Sequence, residues 1–435
     1  MNTCMTIICE TCDQDIDCRV GYSNRRIQPL GFSCPHCESQ LGITLDTSDA
    51  PQSNFNFDGC KPSTTAPIPF EGHNPFLDLH LDFPVRSGKY EMGRTPYMMA
   101  MDDLQVASGD DIEKAHAMMQ LHSSRLNVLN EMAEQADDIK RLINLYHGRN
   151  KQLFQKRAAT FLDRSEVTSL LPQDINATLY CVIAKVFFPF TVFEHGKEIS
   201  QGMPHLMQRI DSEKLGEFID VLDESKFLID LQRDVLKIYP KIFDAELPLR
   251  PALFLDLTGN TKAEKAATRV SSQDFSGLKD LYKDVVEILS RQLVLVAGFN
   301  NLLHRGDANC FKAIGGGKLR DLQKYSTKSL SDKFKYLDDC WYKVDPEAYN
   351  LGLRNAIAHN NVHYCGVDQI VTFTPGGGRL SQSATEHMSF LGFMRLLLVA
   401  FREMHNLNHV IKSLFYYKFL IHDKAAEKAC QTKSF

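Results

Sequence analysis

The feature that most constrains this chain is a pair of cysteine knuckles near its start. Cys9-Glu10-Thr11-Cys12 is followed, after 21 residues, by Cys34-Pro35-His36-Cys37. A two-residue gap lets a tight turn point both sulfurs at one ion, and two such turns complete a tetrahedron. The spacing predicts a zinc ribbon over residues 1–47, with Gly42-Ile43-Thr44-Leu45 as a closing strand and Cys9, Cys12, Cys34 and Cys37 as ligands. Cys4, Cys18 and His36 stay open as alternatives. Four thiolates leave no free position on the ion, so the zinc is expected to be structural; a segment of about 45 residues needs such a staple to fold. Six of the twelve cysteines fall in the first 37 residues. That clustering favours metal over disulfides, because the N-terminus lacks the basic and apolar regions of a secretory signal.

Hydrophobic residues make up 43% of the 435 and charged residues 24%, enough apolar material for a sizeable core. The net charge of −5 argues against a protein that coats nucleic acid through bulk positive charge, while leaving room for a local basic site. The longest apolar stretches, 180–193 and 390–401, fall short of the roughly 20 residues a membrane-spanning helix needs. A cytoplasmic protein with no membrane partner is the expectation.

Along the chain, residues 48–75 are rich in Pro, Ser, Thr, Asn, Asp and Gly and are expected to be a linker. Residues 76–260 are expected to form a mainly helical middle domain with short strands. Residues 76–85 alternate like a strand, whereas 110–161 and 213–243 repeat apolar residues at three- and four-residue steps. Residues 180–193 fit a buried strand or a short helix, and polar residues 258–275 mark a second boundary. Gly315-Gly316-Gly317-Lys318 lacks the first glycine and the Ser or Thr of a phosphate-binding loop, so it predicts a turn. Pro375-Gly376-Gly377-Gly378 predicts a hairpin turn. Helices are expected over 278–303, 331–343, 345–359 and 390–420, the third starting on an Asp345-Pro346-Glu347 cap. The predicted fold class is therefore mainly α, closing with a four-helix bundle over 276–422 that carries an inserted β-hairpin.

The sharpest chemical motif is Arg354-Asn355-Ala356-Ile357-Ala358-His359. On a helix Asn355 and His359 share a face, and Arg354 lies about 140° from His359, within reach of its long side chain. Leu353, Ala356 and Ile357 supply the buried side. A guanidinium grips a phosphate through forked hydrogen bonds, and an imidazole moves protons near neutral pH, which suits phosphodiester chemistry.

These residues resemble the R-N-x-x-x-H signature of the HEPN superfamily (higher eukaryotes and prokaryotes nucleotide-binding domains). The resemblance covers roughly residues 276–422. It implies a metal-independent endoribonuclease acting on tRNA, mRNA or rRNA, with one cleft built by two copies of the chain and the ribose 2′-hydroxyl attacking the adjacent phosphate. Arg354 would hold the phosphate, His359 would act as general acid or base, and Asn355 would orient one of them. It also implies a role in phage defence or as a toxin. A related group carries a modifiable tyrosine two residues after the histidine; here Asn361 stands there and Tyr364 is the nearest tyrosine. The rival expectation is a non-catalytic scaffold or a nucleic-acid-binding interaction protein. Residues 350–435 hold nine Lys+Arg against five Asp+Glu and six of the fifteen histidines, a modest local bias toward RNA. His363, His387, His405 and His409 are expected to be surface or packing residues. Asp338–Asp339 and Asp102–Asp103 are isolated acidic pairs, not the cluster a metal-dependent nuclease would need.

Overall fold

The N-terminal strands pair mostly as hairpins, β-strand neighbours joined by short turns. In the computed structural model, which describes residues 1–435 except 50, 65–69, 71, 87, 163–168, 259–267, 273, 316, 318, 376–383 and 425–435, seven strands open the chain. They are β1 (Asn2–Cys9), β2 (Asp15–Gly21), β3 (Ile27–Ser33), β4 (Gln40–Asp46), β5 (Asn54–Asp58), β6 (Cys60–Pro62) and β7 (Phe76–Leu79). One sheet has the order β6-β1-β2-β7 and another β3-β4-β5. All pairings are antiparallel except β2 with β7. Their inward faces meet in one apolar core that includes Ile7, Ile16, Val20, Leu30, Ile43 and Leu79.

This corrects the expected fold class. A small zinc ribbon ending at residue 47 is not what forms; the N-terminal region is sheet-rich and extends to residue 79. The stretch expected to be a linker supplies β5 and β6. Phe55 and Phe57 lie half-buried against the core, and Cys9 pairs with Cys60 in register. The reason lies in pairing: β4 and β1 would otherwise present unpaired edges, and a polar segment with two alternating phenylalanines is enough to cover one. At β7, Arg19 grips its register partner Asp78 through two hydrogen bonds of 2.6 and 2.7 Å, with both side chains buried. The same guanidinium donates to the carbonyls of Glu91 and Arg94, drawing residues 76–94 onto the sheet.

The expected C-terminal bundle is corrected too. The chain divides into two compact units: residues 1–131, 244–280 and 352–398 in the first, and 132–243, 281–351 and 399–435 in the second. The segment 276–422 is thus split between them. The division falls within the long helices Phe275–Arg305 and Phe390–Tyr417, after residues 280 and 398. Residues 292–300 and 397–408 are buried on every side, the signature of a central helix. A bundle helix would bury one stripe.

In the second unit, residues 180–190 belong to the helix Pro172–Phe187 and a following 3₁₀ turn, Phe188–Phe190, and Phe193 opens the next helix, Phe193–Gln208. The helical pattern over 213–243 is two helices, Ser212–Glu224 and Phe227–Asp244, broken at Lys226, whose φ is +57°. Three of its buried polar side chains, Tyr239, His405 and Asn408, bond to one another. The Tyr239 hydroxyl lies 2.8 Å from His405 Nδ1, and Asn408 donates to it from 2.9 Å. Burial pushes His405 down to about 4, so it stays neutral. The expected helix over 331–343 shrinks to Leu330–Lys335. In the first unit, strands Val362–Cys365, Ile370–Phe373 and Glu386–Ser389 form a three-stranded sheet. The expected hairpin turn at 376–378, and residues 316 and 318 of the other glycine turn, lie outside the described residues.

Candidate metal centre and phosphodiester site

The two knuckles are copies of one backbone design. Asp13 N–H donates to the Cys9 carbonyl at 2.9 Å, and Glu38 N–H to the Cys34 carbonyl at 2.9 Å. Cys9 N–H donates to Gln14, and Cys34 N–H to Ser39, each five residues on. Asp13 and Glu38 sit in the left-handed region, at φ +54° and +65°. Two non-glycine residues in that region cost about 1–2 kcal/mol each, so the matched strain marks a geometry the rest of the site imposes.

The result brings Cys9, Cys12, Cys34 and Cys37 together, all four sulfurs within 4.8 Å of one another. Cys9 and Cys37 sulfurs are 3.7 Å apart, and Cys12 and Cys34 sulfurs 3.8 Å. A tetrahedron of sulfurs about 2.3 Å from a zinc ion has edges of about 3.8 Å, which these two distances match, so the donor set fits a metal such as zinc. Burial pushes the Cys12 thiol up to about 12, while the Ser39 hydroxyl and N–H draw Cys37 down to about 6. A divalent cation would supply the charge that makes four such closely placed thiolates tenable. Cys18 lies in the core, Cys4 sits on β1 away from the group, and His36 turns toward the Asp15 carbonyl at 3.4 Å. None of the three belongs to the cluster.

The second candidate lies in the same unit. The helix expected from Asp345 to His359 is interrupted. Asp345 caps a 3₁₀ turn, Pro346–Ala348; Tyr349 is extended; and an eight-residue helix, Leu351–Ala358, follows. Leu353, Ala356 and Ile357 are buried and hold this short helix down. Arg354 is half-buried, and Asn355 and His359 are exposed. The helix ends in a Schellman closure: Asn361 N–H reaches the Ala356 carbonyl at 2.8 Å and Asn360 N–H reaches Ile357 at 3.3 Å, with Asn360 at φ +56°. His359 is therefore the last residue before a sharp reversal, displayed at the helix end and not along its side.

The sheet that follows adds groups that sequence reasoning set aside. His363, Thr372 and His387 are successive cross-strand partners, so they share one face; both histidines are exposed, and the Thr372 hydroxyl lies 3.0 Å from His387 Nδ1. The alternation of the strands was visible, but their register was not. Tyr364 points to the other face and stacks on Phe275 at a ring separation of 5.0 Å. It is half-buried there, and burial pushes its hydroxyl well above the usual range.

A close contact links this sheet to the second cysteine knuckle. Gly366 packs so tightly on Ser33 that an added Cβ would lie 2.3 Å from the Ser33 hydroxyl. Gln369 ties the sheet to Val270 through two hydrogen bonds of 2.8 Å, and Ser271 accepts from Gly31 N–H on β3 at 3.3 Å. The metal cluster and the Arg354–His359 segment thus belong to one packed body. No helix among the described residues is long and apolar enough to cross a membrane. No family model, curated protein or solved structure matches the chain.

Proposed function

We propose that the chain is a metal-independent endoribonuclease in which Arg354, Asn355 and His359 act on a phosphodiester, with a second copy of the chain completing the cleft. The observation that carries this reading is the display of His359 and Asn355 to solvent at the end of a short helix whose other side is fixed by Leu353, Ala356 and Ile357. Catalysis by positioning needs such a rigid base under exposed functional groups. The resemblance of the motif to HEPN nucleases supplies the reaction class.

In that reaction the ribose 2′-oxygen bonds to the adjacent phosphorus and the bond from phosphorus to the 5′-oxygen breaks. One His359 takes the 2′ proton, and the His359 of the second copy protonates the leaving 5′-oxygen. Arg354 balances the charge that develops on the phosphoryl oxygens. The products are a 2′,3′-cyclic phosphate and a 5′-hydroxyl. The cysteine cluster is proposed to hold zinc in a structural role, stiffening the knuckle against which Gly366 packs. A role in phage defence or as a toxin is the biological setting we propose.

The test is incubation of the full chain with total RNA in EDTA, alongside Arg354→Ala and His359→Ala, with end-group analysis of the fragments. Cutting in the wild type that falls at least about a hundredfold in both variants, leaving cyclic phosphate ends, is expected. Cutting that persists in either variant, or no cutting by a wild type that gel filtration shows to be dimeric, overturns the proposal.

A further inference from the structure

The helices Ala136–His147 and Lys151–Leu162, both in the second unit, concentrate positive charge that the whole chain lacks. Residues 135–161 hold six Lys+Arg against two Asp+Glu, in a protein of net charge −5. The two helices and their turn enclose a cavity of about 530 Å³. Arg141 reaches it from the first helix, Arg149 from the turn and Arg157 from the second helix. Asp138 is the one acid in the lining. Its 3.1 Å pair with Arg141 leaves both side chains more than half exposed, so it neutralises little.

The rest of the wall is of a different kind. Leu142, Leu145, Leu153 and Phe161 line it, and Leu153 keeps 37% of its surface exposed beside the arginines. Asn150 caps the second helix by accepting from Leu153 N–H at 3.0 Å, which fixes the helix start at the cavity rim. Three guanidiniums lining one cavity favour an anion there, and their forked donors match a phosphate. An apolar wall favours a flat, weakly solvated ring. The volume lies in the range that small ligands occupy.

We propose that this cavity binds a nucleoside phosphate, with the phosphate on Arg149 and Arg157 and the nucleobase against Leu153 and Phe161. The unit comes either as a free nucleotide or as one nucleotide of an RNA strand. Both sources offer the same chemistry, an anionic phosphate joined to a base. No bond is made or broken here, so the site does not depend on the nuclease reading.

The full-length protein is titrated calorimetrically with each of the four ribonucleoside 5′-monophosphates and with the matching nucleosides. A parallel arm measures anisotropy of a labelled single-stranded RNA with 2′-O-methyl riboses, which the proposed cleavage cannot cut. Wild type is compared with Arg149→Ala/Arg157→Ala and with Lys156→Ala, a lysine on the same helix that is not part of the lining. At least one monophosphate is expected to bind with a Kd below about 100 µM, at least tenfold tighter than its nucleoside, and to lose at least tenfold in the double variant but less than twofold in Lys156→Ala. Binding of the RNA alone, lost in the double variant only, supports the site and assigns the source to RNA. No binding of either probe, equal binding by nucleoside and monophosphate, or equal losses in Lys156→Ala and the double variant overturns the proposal. Matching circular dichroism and melting curves establish that the exposed substitutions leave the fold intact.

Discussion

Replacing Arg250 with methionine should invert the pH dependence of part of this protein's stability. Arg250 is wholly buried in the first unit and pairs with Asp82 and Glu246, each at 2.9 Å. It also donates to the Asn130 side chain. Burial acts to raise the Asp82 carboxyl, but the Arg250 charge, helped by His80, outweighs it and holds the group below the usual carboxylate range. A carboxyl depressed in the folded state stabilises the fold above its unfolded pKa of about 3.9, and that contribution is lost as pH falls through the folded value. In Arg250→Met the depressing charge is gone and burial remains, so Asp82 rises above 3.9 in the folded state. The ionised form is then penalised at neutral pH, and acidification relieves the penalty.

Removing one partner of a buried ion pair costs about 3–5 kcal/mol, because the other charge stays behind unpaired. Asp82 is left without its cation, while Glu246 keeps Arg25 at 3.3 Å, so the lower half of that range is expected at pH 7.5. The cost should shrink toward pH 5 as Asp82 takes up a proton. Urea denaturation at half-unit steps between pH 4.5 and 7.5 measures it, and Arg250→Met/Asp82→Asn should recover about half of the neutral-pH loss. A loss below about 1 kcal/mol, or one that stays constant across this pH range, would refute the reasoning.

Three further outcomes are expected. The protein should carry one equivalent of zinc by atomic absorption, and Cys12→Ser should abolish it. Chelation should lower the melting temperature without unfolding the strands, since Ile7, Ile16, Val20, Leu30, Ile43, Leu45 and Leu79 join the two sheets in one aliphatic core beside the cysteines; a collapse of the β signal in circular dichroism on chelation contradicts this. Gly366→Ala should destabilise by about 1–3 kcal/mol, because its Cβ meets the Ser33 hydroxyl at 2.3 Å. Adding Ser33→Ala, whose Cβ stands 3.6 Å away, should restore most of that loss, and equal stabilities for the single and double variants would rule out the contact as its cause. At the end of the motif helix, Asn360→Gly should be neutral or slightly stabilising, while Asn360→Val should cost about 1–2 kcal/mol at φ +56°. Indistinguishable urea midpoints for these two variants would discount the left-handed closure.

The cysteine cluster was legible in the sequence because a metal knuckle is local. Two residues between cysteines set the turn, and four thiolates at that spacing have few other uses. The helical placement of the Arg354–His359 segment was legible as well, and the burial of Leu353, Ala356 and Ile357 followed from helical period. What stayed hidden was everything set by pairing at a distance. Asn54–Asp58 alternates like a strand, yet its composition reads as a linker; only the open edge of β4 makes it one. His363 and His387 stand on one face only because both register against Thr372. Arg141, Arg149 and Arg157 lie 16 residues apart at most and still say nothing until two helices fold back on each other. The long helices 275–305 and 390–417 look like bundle members in one dimension, since a sequence shows that a helix has an apolar face but not how many neighbours will cover it. Local sterics and ligand spacing are written in neighbouring residues, whereas edges, registers and shared cavities exist only once distant segments meet.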